Sequence, residues 1–470
     1  MRFFCPRNML VLALLTLCAL PVTHATAAPI QPNILILFAD DMGYQDAGCF
    51  GGPIKTPHID QLAREGMRFT DFYAGAPNCS PSRAALMTGR IAARTGIFNY
   101  IPPAHGMHLP ADEITIARLL QDGGYATGLF GKWHLSHTRP GSNQPKPADY
   151  GFDYTFCTRN NAEPSHKDPD NFYRNGKALG KLEGYSCQIV ADEAIGWLKK
   201  REDNAPPFFA YVAFHEPHKK LASPPDLVDK YKGMGKRDAL YFANIANLDR
   251  AIGRILHSLD TLGLSKDPFV LFASDNGPWR EGSQGPLRGK KSDLWDGGIR
   301  VPGIMRWPGK IPAGTSTGEP AGVVDMLPTL CTIAGIQPPR DRAIDGTDLT
   351  PLFNAKPLVR DTPLFWYFYR VDPQLAMRDG DWTLIGHIND PVKKRSHWLS
   401  AEDMPFIKTA TPTRFELYNV REDMGQKNNL AESEAERLES MKAAMLKLHK
   451  DVVTEGDDWS EAIAGYVRPK

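Results

Sequence analysis

Apolar positions gather in four short runs, and each run gives way to polar residues within a few positions. Ile34-Leu35-Ile36-Leu37-Phe38 leads into Asp40-Asp41, and residues 125–130 lead into Gly131-Lys132-Trp133-His134. Residues 208–214 lead into His215-Glu216-Pro217-His218, and Phe269-Val270-Leu271-Phe272 into Asp275-Asn276-Gly277. Runs this short and continuous predict strands buried on both faces. Helix-like stretches lie between them, at 59–65, 114–122, 189–200 and 240–262. Strands alternating with helices predict an α/β fold whose largely parallel sheet is covered on both sides. Ligands of such sheets bind beyond the carboxyl ends of the strands, so all four polar clusters fall on one edge. After about Pro357 the pattern changes. Short alternating segments at 364–370, 375–384 and 415–420, then an amphipathic stretch at 434–452, predict a smaller antiparallel sheet with a packed helix.

The first 27 residues read as a leader. Arg2 and Arg7 flank its start, residues 9–20 are apolar, and Ala25-Thr26-Ala27 is a small-x-small cleavage site. The apolar run is too short for a membrane span, and nothing later is apolar enough for one. The expected organisation is therefore a signal peptide (1–27), a catalytic domain (28–357) and a smaller C-terminal α+β domain (358–470), in a secreted or periplasmic protein. Of seven cysteines, Cys5 and Cys18 lie in the leader, leaving Cys49, Cys79, Cys157, Cys187 and Cys331. Export permits disulfides, but five is odd, and bridges and buried thiols both fit. A formal net charge of +1 gives no support for a nucleic-acid or bulk-polyanion partner.

Each polar cluster supplies a different chemical part. Asp40 and Asp41 are neighbouring carboxylates that repel unless a cation or proton lies between them. With Asp275 and Asn276 they form an all-oxygen set suited to Ca²⁺ or Mg²⁺. Lys132 and His134, at i and i+2, share one side of an extended segment and bring a fixed charge and a proton carrier. His218 reaches further from its strand than His215, which reads as structural. Lys290 and Lys291 precede Trp295-Asp296-Gly297-Gly298. Between the first two runs lies Cys79-Ser80-Pro81-Ser82-Arg83, followed by Ala84-Ala85-Leu86-Met87-Thr88-Gly89-Arg90. Pro81 suits a first helical turn, Ser80 or Cys79 then falls near the N-cap, and Gly89 ends the helix. The cysteine would meet free amides and the positive end of the helix dipole, with Arg83 at i+4 on the same face.

Cys-x-Pro-x-Arg with this continuation resembles the signature of the type I sulfatases. The likeness extends through Pro-Asn-Ile-Leu-x-x-x-x-Asp-Asp, Gly-Lys-Trp-His, x-Pro-His and Ser-Asp-Asn-Gly to the segment 286–302. It is greatest to the arylsulfatase A and N-acetylgalactosamine-6-sulfatase branch, whose fold is similar to that of alkaline phosphatase. The resemblance implies that Cys79 is oxidised to 3-oxoalanine (formylglycine) by a formylglycine-generating enzyme. It implies one Ca²⁺ held by Asp40, Asp41, Asp275, Asn276 and residue 79, and a sulfate ringed by Arg83, Lys132, His134, His218 and Lys291, the last chosen over Lys290 by its spacing to Trp295. The hydrated aldehyde would attack sulfur, His218 with Lys291 would protonate the leaving oxygen, and His134 would take the second proton. Conversion of Cys79 leaves four cysteines free to pair. The implied substrate is a sulfated sugar or aryl sulfate, with Trp366, Tyr367 or His397 of the C-terminal region contacting it. Lys219-Lys220 departs from the branch, which usually has a small residue and a proline there. A phosphate or phosphonate monoester hydrolase, or a binding protein that keeps the fold without catalysis, are the competing readings.

Overall fold

The computed structural model describes residues 1–3, 31–138, 141–370, 372–392 and 397–467. The expected leader's apolar run and cleavage site, with Cys5 and Cys18, lie outside them. Gln31–Lys470 form one compact unit. Its main sheet has eleven strands, β1 (Ile34–Asp40), β2 (Met67–Tyr73), β3 (Ala126–Lys132), β4 (Tyr154–Thr158), β5 (Tyr173–Arg174), β6 (Lys177–Ala178), β7 (Phe208–Pro217), β8 (Phe269–Ser274), β9 (Arg300–Arg306), β10 (Thr315–Thr317) and β11 (Ala321–Gly322). The order is β10-β2-β9-β8-β1-β7-β3-β4-β5-β6, with β11 also on β2. The centre, β8-β1-β7-β3-β4, is parallel throughout, and β9 joins it antiparallel. The fold is of the alkaline-phosphatase type, a mixed and largely parallel sheet with a small antiparallel sheet beside it.

Strand alternation sends the side chains of β1 to two cores. Ile34, Ile36 and Phe38 pack with Leu86, Met87, Ile116, Leu120 and Leu327 on one side. Leu35 and Leu37 pack with Ile59, Leu62, Val190, Ile245 and Ile252 on the other. Period two in the strand and 3.6 in the helices thus build three layers from one chain. Each fully buried aliphatic side chain contributes roughly 1.5–3 kcal/mol.

A second sheet contains β12 (Leu364–Phe368), β13 (Gln374–Asp379), β14 (Trp382–Ile388) and β15 (Pro412–Asn419), all antiparallel in that order. The expected segment 375–384 is two strands, because Gly380 takes a positive φ and turns the chain between them. One face packs on the helix Ala435–Glu455 through Phe365, Leu375 and Met377 against Met441 and Met445. The other packs on Tyr73 and Trp295 through Leu364, Trp366 and Ala376. Five described cysteines, Cys49, Cys79, Cys157, Cys187 and Cys331, are free thiols. Among the described residues no helix is long and apolar enough to cross a membrane.

Candidate active site

The four polar clusters leave the carboxyl ends of β8, β1, β7 and β3, which are adjacent in the sheet, so their side chains converge. Asp40 ends β1 and Asp41 follows with φ 68. His134, two residues beyond β3, has φ 59. A non-glycine residue with a left-handed backbone costs about 1–2 kcal/mol, and here both turns aim a side chain into the site.

Cys79 is the first residue of the helix Cys79–Thr88, directly after its N-cap residue Asn78 and so near the cap as expected. Asn78 enters extended (φ −153, ψ 169) and fixes its amide by donating from Nδ2 to Asn99 Oδ1 at 2.6 Å. The Ser80 and Ser82 hydroxyls accept from the amides of Ile101 and Gly75, so the first turn is tied to the chain on both sides. Burial pushes the Cys79 thiol up to about 11, although Lys132 and Lys291 pull the other way.

Around the thiol the charges pair closely. Lys291 Nζ lies 3.5 Å from Cys79 Sγ and donates to Asp41 Oδ1. Lys290, its neighbour, is exposed. Lys132 Nζ donates to Asp40 Oδ2 at 2.6 Å. Burial would raise the Asp40 carboxyl, but the cations Lys132, Arg83 and Lys291 overcome it and hold it well below the usual carboxylate range. Burial and the Asp40 charge push Asp275 the other way, up to about 7, despite Arg83 and Lys132. Two carboxylates that close cannot both ionise freely without a further positive charge.

Arg83 lies in the site, near enough to Cys79 for the two to interact electrostatically. Its Nε and Nη2 both donate to Asp275 Oδ2, at 3.1 and 2.7 Å, and Nη1 reaches the Lys132 carbonyl and the Tyr211 hydroxyl. A buried carboxylate is the best partner for a guanidinium, and the two-pronged contact with Asp275 fixes the group. Tyr211 was not anticipated, though it carries the only hydroxyl in the apolar run 208–214.

The histidines divide by partner. His134 Nε2 lies 3.0 Å from the Ile101 carbonyl, which can only accept, so Nε2 carries the proton. Its Nδ1 is buried without a hydrogen-bond partner among the described residues, and burial with Lys132 and Arg159 nearby depresses its basicity strongly. His218 Nε2 lies 3.7 Å from Asp41 Oδ2, and burial lowers its pKa to about 4. His215 is wholly buried and bonded through Nε2 to Thr158 Oγ1 at 2.8 Å.

A hard cation fits this donor set. Asp40 Oδ1 and Asn276 Oδ1 are buried oxygens without hydrogen-bond partners among the described residues. Asn276 Nδ2 donates to Asp41 Oδ1 and to the Gly277 carbonyl, which fixes the amide's orientation. Asp40, Cys79 and Asp275 offer ligand atoms within 4.8 Å of one another, as do Asp41, Cys79 and His218. Oxygen-rich, carboxylate-dominated donors suit Ca²⁺ or Mg²⁺.

Of the C-terminal residues expected at the cleft, Trp366 and Tyr367 are not there. Trp366 is buried, with Nε1 donating to the Ala74 carbonyl at 2.7 Å, and Tyr367 packs on His449 of the C-terminal helix. Strand alternation identified the strand but not which face meets the main sheet. His397 is exposed, and its carbonyl accepts from Asn99, the partner of Asn78.

An alkaline-phosphatase-like sheet whose strand ends gather a helix-start cysteine, carboxylates and cations defines an anionic-ester hydrolase. A family model for Sulfatase matches residues 32–336, and one for the C-terminal part of N-sulphoglucosamine sulphohydrolase matches 290–395. The chain belongs to the type I sulfatase family and is a sulfuric ester hydrolase. It is 36% identical to the N-acetylgalactosamine-6-sulfatase of Canis lupus familiaris over 76% of this chain and 72% of that one. It is 32% identical to the arylsulfatase G of Rattus norvegicus over 71% of each. The solved structure of Ps i-CgsB superposes with a TM-score of 0.80 at 27% identity, covering 93% of this chain and 98% of that one. That protein has also been solved in complex with k-i-k-neocarrahexaose, and this second structure matches at a TM-score of 0.80 and 26% identity.

Proposed function

We propose that the protein is an exported, Ca²⁺-dependent sulfatase that acts on a sulfated saccharide through formylglycine at position 79. The observation that carries this reading is Cys79 itself, at a helix start, 3.5 Å from Lys291 Nζ and within 4.8 Å of carboxyl oxygens of Asp40 and Asp275. A buried thiol with a pKa near 11 is a poor nucleophile at neutral pH, so the cysteine's value here lies in what it becomes. Hydrated, the aldehyde supplies the attacking hydroxyl. Asp40, Asp41, Asp275 and Asn276 would hold the cation, which supplies positive charge against the sulfate oxygens.

The rest is the work of this chain's own groups. Lys132 and Lys291 bring fixed positive charge toward the ester, in a site where burial keeps it unscreened. Lys291 is surrounded by Asp41, Asp40 and Asp275, which keep it an ammonium, so it binds the anion throughout. His218 is neutral in the free site, and an arriving sulfate would favour its protonated form, readying Nε2 to protonate the leaving oxygen. His134 holds a lone pair at Nδ1 and its proton at Nε2, so Nδ1 is the atom that accepts a proton. Arg83 holds Asp275 and the carbonyl of Lys132 in place. The saccharide part of the reading is supported by the N-acetylgalactosamine named for one relative and the carrahexaose bound to another.

Two measurements test it. The tryptic peptide containing residue 79, from a host that carries the modifying enzyme, should be about 18 Da lighter than the cysteine form. Sulfate release from nitrophenyl sulfate should exceed phosphate release from nitrophenyl phosphate. An unmodified thiol in active protein sinks the formylglycine step. A preference for phosphate sinks the substrate class.

A further inference from the structure

The loops that leave β7 and β8 carry more than the site residues. Directly after His218 comes Lys219, whose Nζ stands 5.1 Å from the centroid of the Trp279 ring. Arg280 stands 5.7 Å from the same ring. Trp279 follows Pro278, whose carbonyl accepts from the Lys291 amide at 3.1 Å. An indole flanked by two cations is therefore one residue removed from both His218 and the turn that holds Lys291.

Neither cation is neutralised. Among the described residues no carboxylate pairs with Lys219 or Arg280, and both side chains are exposed. Glu281, next to Arg280 in the chain, is engaged by Arg237, and Lys220, next to Lys219, is engaged by Glu163 at 3.0 Å. Two like charges held against one ring repel, and an anion set between them would relieve that. A half-buried indole meanwhile offers a flat apolar face of the kind that packs on a sugar ring.

We propose that Lys219, Trp279 and Arg280 form a subsite that selects saccharides carrying a second anionic group on or next to the residue whose sulfate is removed. Trp279 packs against the sugar, and Lys219 and Arg280 take the additional sulfate or carboxylate. The subsite lies where this chain departs from the branch it resembles, at Lys219-Lys220. The proposal rests on the saccharide reading above and narrows it.

The test compares three disaccharides that share one scissile sulfate: one otherwise neutral, one with a second sulfate and one with a uronate carboxylate. Wild type should show a lower KM for the doubly charged substrates, and the advantage should shrink as salt is raised. In the Lys219→Ala/Arg280→Ala variant that advantage should fall by about fivefold for exposed pairs of this kind. Hydrolysis of nitrophenyl sulfate should be unchanged, since neither residue touches the ester. The two arms tell sulfate from carboxylate as the preferred anion. An unchanged KM ratio in the double variant, or no preference in wild type, overturns the subsite. If no saccharide turns over while nitrophenyl sulfate does, the saccharide reading fails. The subsite is then judged by calorimetric binding of the same disaccharides to Cys79→Ala protein, where equal affinities for neutral and doubly charged forms overturn it.

Discussion

Cys79 and Arg83 sit four residues apart and answer to different forces. The thiol is buried and pushed up to about 11, so almost none of it is thiolate at neutral pH. On the proposed mechanism, Cys79→Ala should abolish turnover, by at least about 10³-fold, because no other described residue replaces the nucleophile. The fold should survive, since alanine suits the first turn of a helix. Far-UV circular dichroism and sulfate release check both halves. Arg83 instead neutralises Asp275 from within. Removing it leaves an uncompensated carboxylate, so Arg83→Ala should cost about 3–5 kcal/mol in urea unfolding. Arg83→Lys should recover only part, because an ammonium cannot keep the two-pronged contact with Asp275. With a cation held as proposed, a chelator should lower the unfolding midpoint and activity together, and Ca²⁺ should restore both, because the ion would relieve the repulsion between Asp40 and Asp275.

At the scale of elements, the helix that bears Cys79 depends on how it ends. Gly89 takes φ 67 at its C-cap, and its amide donates to the Ala85 carbonyl at 2.9 Å. A Cβ there would stand 2.7 Å from Leu327 Cβ. Gly89→Ala should therefore cost about 2–3 kcal/mol, from left-handed strain plus overpacking, read as a lower urea midpoint with an unchanged slope. This cap was legible in the sequence, as were β1, β3, β7 and β8. Strands buried on both faces leave continuous apolar runs, and the polar residues ending them had to lie on one edge. The flanking strands were not legible. Arg300 and Arg306 bound β9 and Pro302 lies inside it, so its sequence lacks an apolar run. Arg300 is buried there because Asp71 and Asp296 pair with it. For the same reason the residue types of the site could be read, but not Arg83's turn toward Asp275 or the burial of Trp366. Both depend on which partner a side chain meets across the fold.

Across the whole molecule, ion pairs and apolar packing join the two sheets. Asp71 on β2 accepts from Arg300 on β9 and from Arg378 on β13, so one carboxylate spans both sheets. On the far face of the second sheet, the C-terminal helix buries His449 against the Tyr367 ring, 4.8 Å between centroids. Its Nε2 has no hydrogen-bond partner among the described residues, and burial lowers its pKa to about 4. A free histidine binds its proton near 6.5, so below that pH the unfolded chain takes up a proton that the folded chain refuses. The stability His449 leaves intact above pH 6.5 is thus lost progressively as pH falls toward 4, by up to about 3 kcal/mol. His449→Phe keeps the aromatic contact with Tyr367 and removes the titration. Wild type and variant should therefore have urea midpoints that converge at pH 7.5 and separate steadily toward pH 4.5, with the variant the more stable. Carboxylates that titrate in the same range act on both proteins alike, so the difference between the curves isolates this one ring. Parallel curves would mean that His449 keeps its proton in the folded state through contact with water.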